Sequence, residues 1–367
     1  MQSIPNFILL AILFFLLIWQ VKFAKNETFH KDGFSLEACK AMQGFLSLLI
    51  IVHHVYTFLE IRDYDVTVLH WSANIGVYLI GFFFFCSGYG LIVSLHTKEN
   101  YLQGFMVKRV LIVLVPFFIC NYAYMFVELL LVNRYPMHEL IAAFFGIVLL
   151  NSQMWFAVEI MLLYLVFFVL FKHIKNEKIG IIIMTALIMI VTLLAMMWFK
   201  GEKPTKWFSG EWWYNTTPLF IIGMIVARHR EQIKSFIAKY YWLAIGVCIL
   251  GVCITGMQVE ETLYYYGYWT FQLSDKLISY VVQVPHVIFF ELFLILVMQK
   301  IQFRNLCLDV LGKFSLEILL VNGVFLNGFL GVLECYGLTC YLCLTFVGTL
   351  FSAVLLYKLK RFILEIR

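Results

Sequence analysis

The sequence predicts an all-α, polytopic helical membrane protein of about 11 transmembrane helices, with its N-terminus outside and its C-terminus in the cytoplasm. Composition is the first reason. The 367 residues are 63% hydrophobic and 13% charged, with mean hydropathy +0.89; a soluble domain is about 45–50% apolar and about 25% charged. The second reason is run length: the apolar stretches approach or exceed ~20 residues without alternation, which suits helices and not a barrel. The third is charge placement. With alternating crossings, 21 of the 27 lysines and arginines fall on the cytoplasmic side, as the positive-inside rule requires. The net charge of +5 is then topological and implies no nucleic-acid partner.

The predicted crossings lie near 5–23, 38–59, 72–95, 107–132, 154–171, 178–199, 213–228, 240–257, 279–299, 314–332 and 337–357. The first has no basic residue before it, so it reads as a retained span and not a secretory leader. The segment 139–150 is below spanning length and reads as a re-entrant or interfacial helix. The segment 213–228 is short and contains Pro218 and Gly223, as a broken helix would. Residues 1–33 form an additional N-terminal span and cytoplasmic loop, ahead of one transmembrane domain over 34–367.

Within this framework the most informative residues are His53 and His54, which end the apolar run GFLSLLIIV. A titratable side chain at the centre of a membrane helix costs ~2.5–3.5 kcal/mol on insertion scales, so it is a functional candidate by default. An imidazole, whose ordinary pKa is near 6.5, can take a proton from a hydroxyl. The competing reading is a pair of polar residues hydrogen-bonded to neighbouring helices. Glu128, Glu159, Glu291 and Glu317 also lie in apolar runs; any could orient an imidazole or close a structural hydrogen bond, and spacing does not say which meets a histidine.

Ser87, Gly88 and Gly90 follow four phenylalanines. Such small residues let helices approach closely, or let a thin substrate arm pass between them. Lys108 and Arg109, at a cytoplasmic membrane edge, could pair with a phosphorylated ligand or simply anchor the chain. The outer loops KWFSGEWWYNTT and VEETLYYYGYWTFQLSD, which include Trp213 and Tyr214, read as an interfacial aromatic belt or as a platform for sugar rings. Cys340 and Cys343 form a lone C-x-x-C without a second Cys/His pair, so no metal is expected.

Taken together, these segments resemble the acyltransferase 3 family of multispanning membrane acyltransferases. LEACKAMQGFLSLLIIVHH is similar to its first helix, with a basic residue, ten intervening positions and a histidine. FFFFCSGYGL, FMVKRVLIVLVPFF, MWFAVEIMLLYLVFF, WWYNTTPLFIIGMIVA and LGKFSLEILLVNGVF resemble its later motifs, in the family's order. The resemblance implies transfer of an acyl group, usually acetyl, from cytosolic acyl-CoA to a hydroxyl of an extracytoplasmic acceptor such as a polysaccharide or lipid-linked sugar. It places the protein in a bacterial cytoplasmic membrane.

By this resemblance His54 would be the catalytic base, with His53 beside it and Glu159 orienting the ring. Lys40, Gln43, Ser87, Gly88, Lys108 and Arg109 would hold the CoA donor, and Trp155, Trp213, Tyr214 and Asn322 would border the acceptor. Gln43 departs from the family's basic residue, which Lys40 could replace, and Asn322 stands where the family often has histidine. The alternative class is a secondary transporter or exporter, in which buried His and Glu groups relay protons.

Overall fold

The computed structural model describes residues 3–25, 28–30, 34–130, 135–198, 215–265 and 272–365. Helices dominate: α1 Ser3–Ile18, α2 Leu36–Glu60, α3 Gly76–Thr97, α4 Ile112–Leu130 continuing a π-helical turn at Met106–Leu111, α5 Met137–Phe144, α6 Trp155–His173 and α7 Glu177–Trp198. They are followed by α8 Pro218–Arg228, α9 Arg230–Tyr265, α10 Leu273–Lys300, α11 Leu306–Lys313, α12 Ser315–Gly328 and α13 Leu330–Ile363. One small antiparallel pair, β1 Lys22–Phe23 with β2 Ile301–Gln302, ties the segment after α1 to the end of α10.

Among the described residues, eight helical segments are long and apolar enough to cross a membrane; α8, α12 and the apolar part of α1 are shorter. Each of the eight overlaps one of the predicted crossings, and among the described residues the 139–150 region holds only the eight-residue α5. The protein is therefore an all-α, multi-pass membrane protein.

The helices sort by depth. In its most apolar stretch α2 is 72% buried, against 11% for α9, so α2 is central and α9 peripheral. A helix that is hydrophobic on every side belongs inside a bundle. This is the case for α3, where the consecutive residues Phe82, Phe83, Phe84 and Phe85 are all buried. α3 lies along α8, α9 along α10, and α11 against α2, while α12 contacts α13, α4 and α2. The α3–α8 contact is backbone on backbone: a Cβ on Gly88 would overlap the Phe220 carbonyl, and one on Gly223 would overlap that of Phe85.

Local chemistry sets the helix starts that matter here. Ser35 Oγ accepts from Ala38 N at 3.2 Å and opens α2; Asn305 Oδ1 accepts from Leu308 N at 3.0 Å and opens α11. Both satisfy amides that a helix's first turn leaves unpaired.

Candidate active site

Both predicted histidines sit near the C-terminal end of α2 and line one cavity of about 760 Å³. Helix ends converge there: the last turns of α2, the start of α3, Trp155 at the start of α6, Asn215 and Thr216 leading into α8, Glu260 late in α9, and Gln283 early in α10. All of these segments meet at one end of the bundle.

The two imidazoles are 5.6 Å apart between ring centroids and are held differently. His53 Nδ1 is 2.8 Å from the Ser72 carbonyl oxygen. A carbonyl only accepts, so Nδ1 carries the proton and Nε2 keeps its lone pair. Ser72 reaches this position on the tight turn Thr67–Ser72, whose start is fixed by Asp65. Its Oδ1 accepts from the Thr67 amide at 3.2 Å and hydroxyl at 2.7 Å, and these bonds hold the Asp65 carboxyl below its ordinary pKa. The His53 ring lies against Gly76, where a Cβ would strike Nε2; glycine is needed there for space.

His54 Nδ1 is 2.9 Å from Asn322 Nδ2 of α12. With the amide nitrogen donating, the lone pair is on Nδ1. Turning the amide by half a rotation presents Oδ1 instead, which accepts from Nδ1–H and bares Nε2. Oδ1 has no other partner, so the turn breaks no further bond. Asn322 is fully buried, which locks the ring's orientation in either case.

The expectation that Glu159 orients the histidine is corrected here. Glu159 is buried and accepts from the Thr217 hydroxyl, because the start of α8, not α2, faces that turn of α6. The other carboxylates are also committed or distant: Glu128 accepts from Tyr135, at 2.9 Å, and from Asn327. Burial pushes the Tyr135 hydroxyl up to about 12. Glu317 pairs with Lys360 inside the bundle, and Glu291 lies against Gly81. The partners of the imidazoles are an amide and a carbonyl.

The opposite end of the bundle is basic. Lys40 is 14 residues before His54 on α2, an axial rise of about 21 Å. It lies in the electrostatic field of Arg109, Lys313 and Lys360, offset by Glu37. Arg109 is half-buried; its Nε donates to Tyr101 Oη at 2.9 Å, and its guanidinium stands 5.9 Å from the Tyr164 ring centre. Tyr164 in turn donates to Ser87 Oγ at 3.3 Å, which joins Ser87 to this end. Lys108 is exposed. A second cavity of about 990 Å³ opens there, lined in part by Lys313, Tyr357, Lys358 and Arg361.

Of the remaining predicted residues, Trp155 lines the histidine cavity and stacks on Phe84, centroids 6.1 Å apart. Gln43 is half-buried on α2. At Gly88, α8 backbone fills the space where a Cβ would stand, so this glycine serves the close α3–α8 contact. Trp213 and Tyr214 lie outside the described residues. Sequence reasoning missed Ser72, Asn215, Gln283 and Lys313. Lys313, as the lysine of LGKFS, and Asn215, within WWYNTTP, carried a signal; Ser72 and Gln283 carried none.

Residues 37–358 match the family model described as an acyltransferase domain, Acyl_transf_3. No curated protein and no solved structure matches the chain.

Proposed function

Since the chain belongs to the acyltransferase 3 family, we propose that it transfers an acyl group, acetyl by preference, from cytosolic acyl-CoA to a hydroxyl of an extracytoplasmic sugar or glycan. Its setting is the cytoplasmic membrane of a bacterium. The observation that carries this reading is the arrangement along α2: two oriented imidazoles on a cavity at one end, and a basic cluster about 21 Å away at the other.

Arg109, Lys40 and Lys313 receive the phosphates of the donor, since guanidinium and ammonium groups form charge-assisted bonds to phosphate oxygens. The acceptor enters the histidine cavity. With the Asn322 amide turned so that Oδ1 accepts from Nδ1–H, His54 Nε2 takes the proton of the acceptor hydroxyl as its oxygen attacks the thioester carbonyl; the carbon–sulfur bond breaks, and the CoA thiolate leaves and recovers that proton from the imidazolium. Asn322 positions the imidazole but adds no charge to balance it, so the gain from His54 comes from proton transfer and alignment.

The test uses membranes containing the full chain, acetyl-CoA labelled in its acetyl group, and a host envelope fraction. Wild type releases free thiol and transfers label to the envelope material. His54→Ala loses roughly 10²–10⁴-fold in rate. Wild-type rates from His54→Ala would remove the histidine from the chemistry, and absence of thiol release from the wild type would overturn the reading.

A further inference from the structure

We propose that the cavity at the basic end of the bundle receives the 3′-phosphoadenosine end of the CoA donor, with Lys358 and Arg361 on the 3′-phosphate and the Tyr357 ring against the adenine. This assignment rests on the acyl-transfer reading above and extends its donor site from the diphosphate to the nucleoside.

The cavity measures about 990 Å³ and lies between the start of α12 and the last turns of α13; small-molecule sites span ~300–1,000 Å³. Its lining joins the cations Lys313, Lys358 and Arg361 to the rings of Phe314 and Tyr357, with Glu365 also present. Lys358 and Arg361 are at i and i+3, so they share one face of α13. Lys360 between them does not join in. It turns into the bundle, is 5% exposed and pairs with Glu317. The basic stretch KLKR is thus divided between an internal ion pair and a cavity wall, a division that anchoring at a membrane edge does not require.

The aromatic part of the wall selects among anions. Phe314 and Tyr357 have ring centroids 6.4 Å apart, and the Arg361 guanidinium stands 5.8 Å from the Tyr357 ring centre. A phosphate held by Arg361 therefore leaves an attached nucleoside beside a ring on which its base can stack. Inorganic phosphate would gain nothing from that ring.

Lys313 connects this cavity to the residues proposed to hold the diphosphate. It follows Gly312, where a Cβ would overlap the Lys40 carbonyl, so α11 sets Lys313 beside α2 and within the electrostatic reach of Lys40. In CoA the adenine and 3′-phosphate lie beyond the diphosphate, at the end remote from the thioester. With the diphosphate at Arg109, Lys40 and Lys313, the nucleoside continues into the cavity, and the pantetheine arm is left to run toward the histidines.

The test is equilibrium binding of CoA and of 3′-dephospho-CoA to the purified full chain in detergent. Wild type is expected to bind CoA about tenfold more tightly, as loss of a charge-assisted contact implies. Lys358→Ala/Arg361→Ala loses about that factor for CoA and keeps wild-type affinity for 3′-dephospho-CoA, which also shows that the variant is folded. Tyr357→Leu weakens both ligands alike by about fivefold or more, and Tyr357→Phe restores them. Equal affinity of the wild type for the two ligands, or an undiminished preference for CoA in the double variant, overturns the assignment. An anionic phospholipid headgroup offers the same phosphate chemistry, so binding is repeated in phosphatidylcholine vesicles with and without phosphatidylglycerol. A CoA preference abolished by phosphatidylglycerol gives the cavity to the lipid and also overturns the assignment. Release of free thiol from acetyl-CoA in the presence of the envelope fraction tests the acyl-transfer reading separately; its absence overturns that reading and not the 3′-phosphate site.

Discussion

Asn322 of α12 places its side-chain amide 2.9 Å from Nδ1 of His54 on α2, across 268 residues of sequence. A carboxylate at that position would add charge to the imidazolium as well as orient the ring; an amide only orients. Asn322→Leu is therefore expected to lower kcat by roughly tenfold or more while acyl-CoA KM stays unchanged. Asn322→Asp should keep much of the activity and move the acid limb of the pH–rate profile to higher pH, because a neighbouring anion favours the protonated ring. Identical pH–rate profiles for Asn322→Asp and wild type would show that Asn322 does not act through His54.

Glu159 makes a contrasting case. Its hydrogen bond goes to Thr217, so Glu159→Gln and Thr217→Val should be coupled in a double-mutant cycle by roughly 0.5–3 kcal/mol. Glu159 and His54 should show coupling near zero in thermal unfolding, and Glu159→Gln should leave the pH–rate profile in place. A shifted profile in Glu159→Gln would restore the carboxylate to the catalytic group.

At the basic end, neighbouring residues separate. Arg109 is half-buried and held by Tyr101, whereas Lys108 is exposed. Arg109→Ala is expected to raise the KM for acyl-CoA about tenfold, equivalent to about 1.4 kcal/mol, with the acceptor KM unchanged. Lys108→Ala should be within about twofold of wild type, since an exposed charge contributes little. Initial-rate titrations of each substrate decide it; equal effects of the two substitutions would argue for diffuse attraction and against a built phosphate site.

The small residues after the phenylalanine run differ just as sharply. A Cβ on Gly88 would overlap the Phe220 carbonyl, while nothing lies within 4 Å of one on Gly90. Gly88→Ala should cost about 1–3 kcal/mol by overpacking, seen as a lowered melting temperature in detergent, and Gly90→Ala should melt with the wild type. Equal melting temperatures would mean that α3 and α8 are not in backbone contact.

Much of the architecture was legible from residue order. The apolar runs mark every long helix, because burial in lipid depends on the composition of about 20 consecutive residues. The shortness of the 139–150 helix follows from the same count. The histidine pair was legible too, as two adjacent titratable residues that are costly to place in such a run. The basic end was partly legible: Arg109 and Lys40 stood at membrane edges, while Lys313 is joined to them only by the close approach of α11 to α2.

The residue order by itself therefore determined that this is a multi-pass helical protein of the acyltransferase 3 family and that α2 carries its candidate imidazoles. Only the tertiary structure decided that Asn322 and not Glu159 meets His54, that Ser72 sets the proton on His53, and that Gly88 closes a helix contact. The reason is one of range. Hydrophobicity and helix formation act over neighbouring residues, whereas a hydrogen bond between α2 and α12 depends on how whole helices rotate and slide as their side chains interlock, and no single segment encodes that alignment.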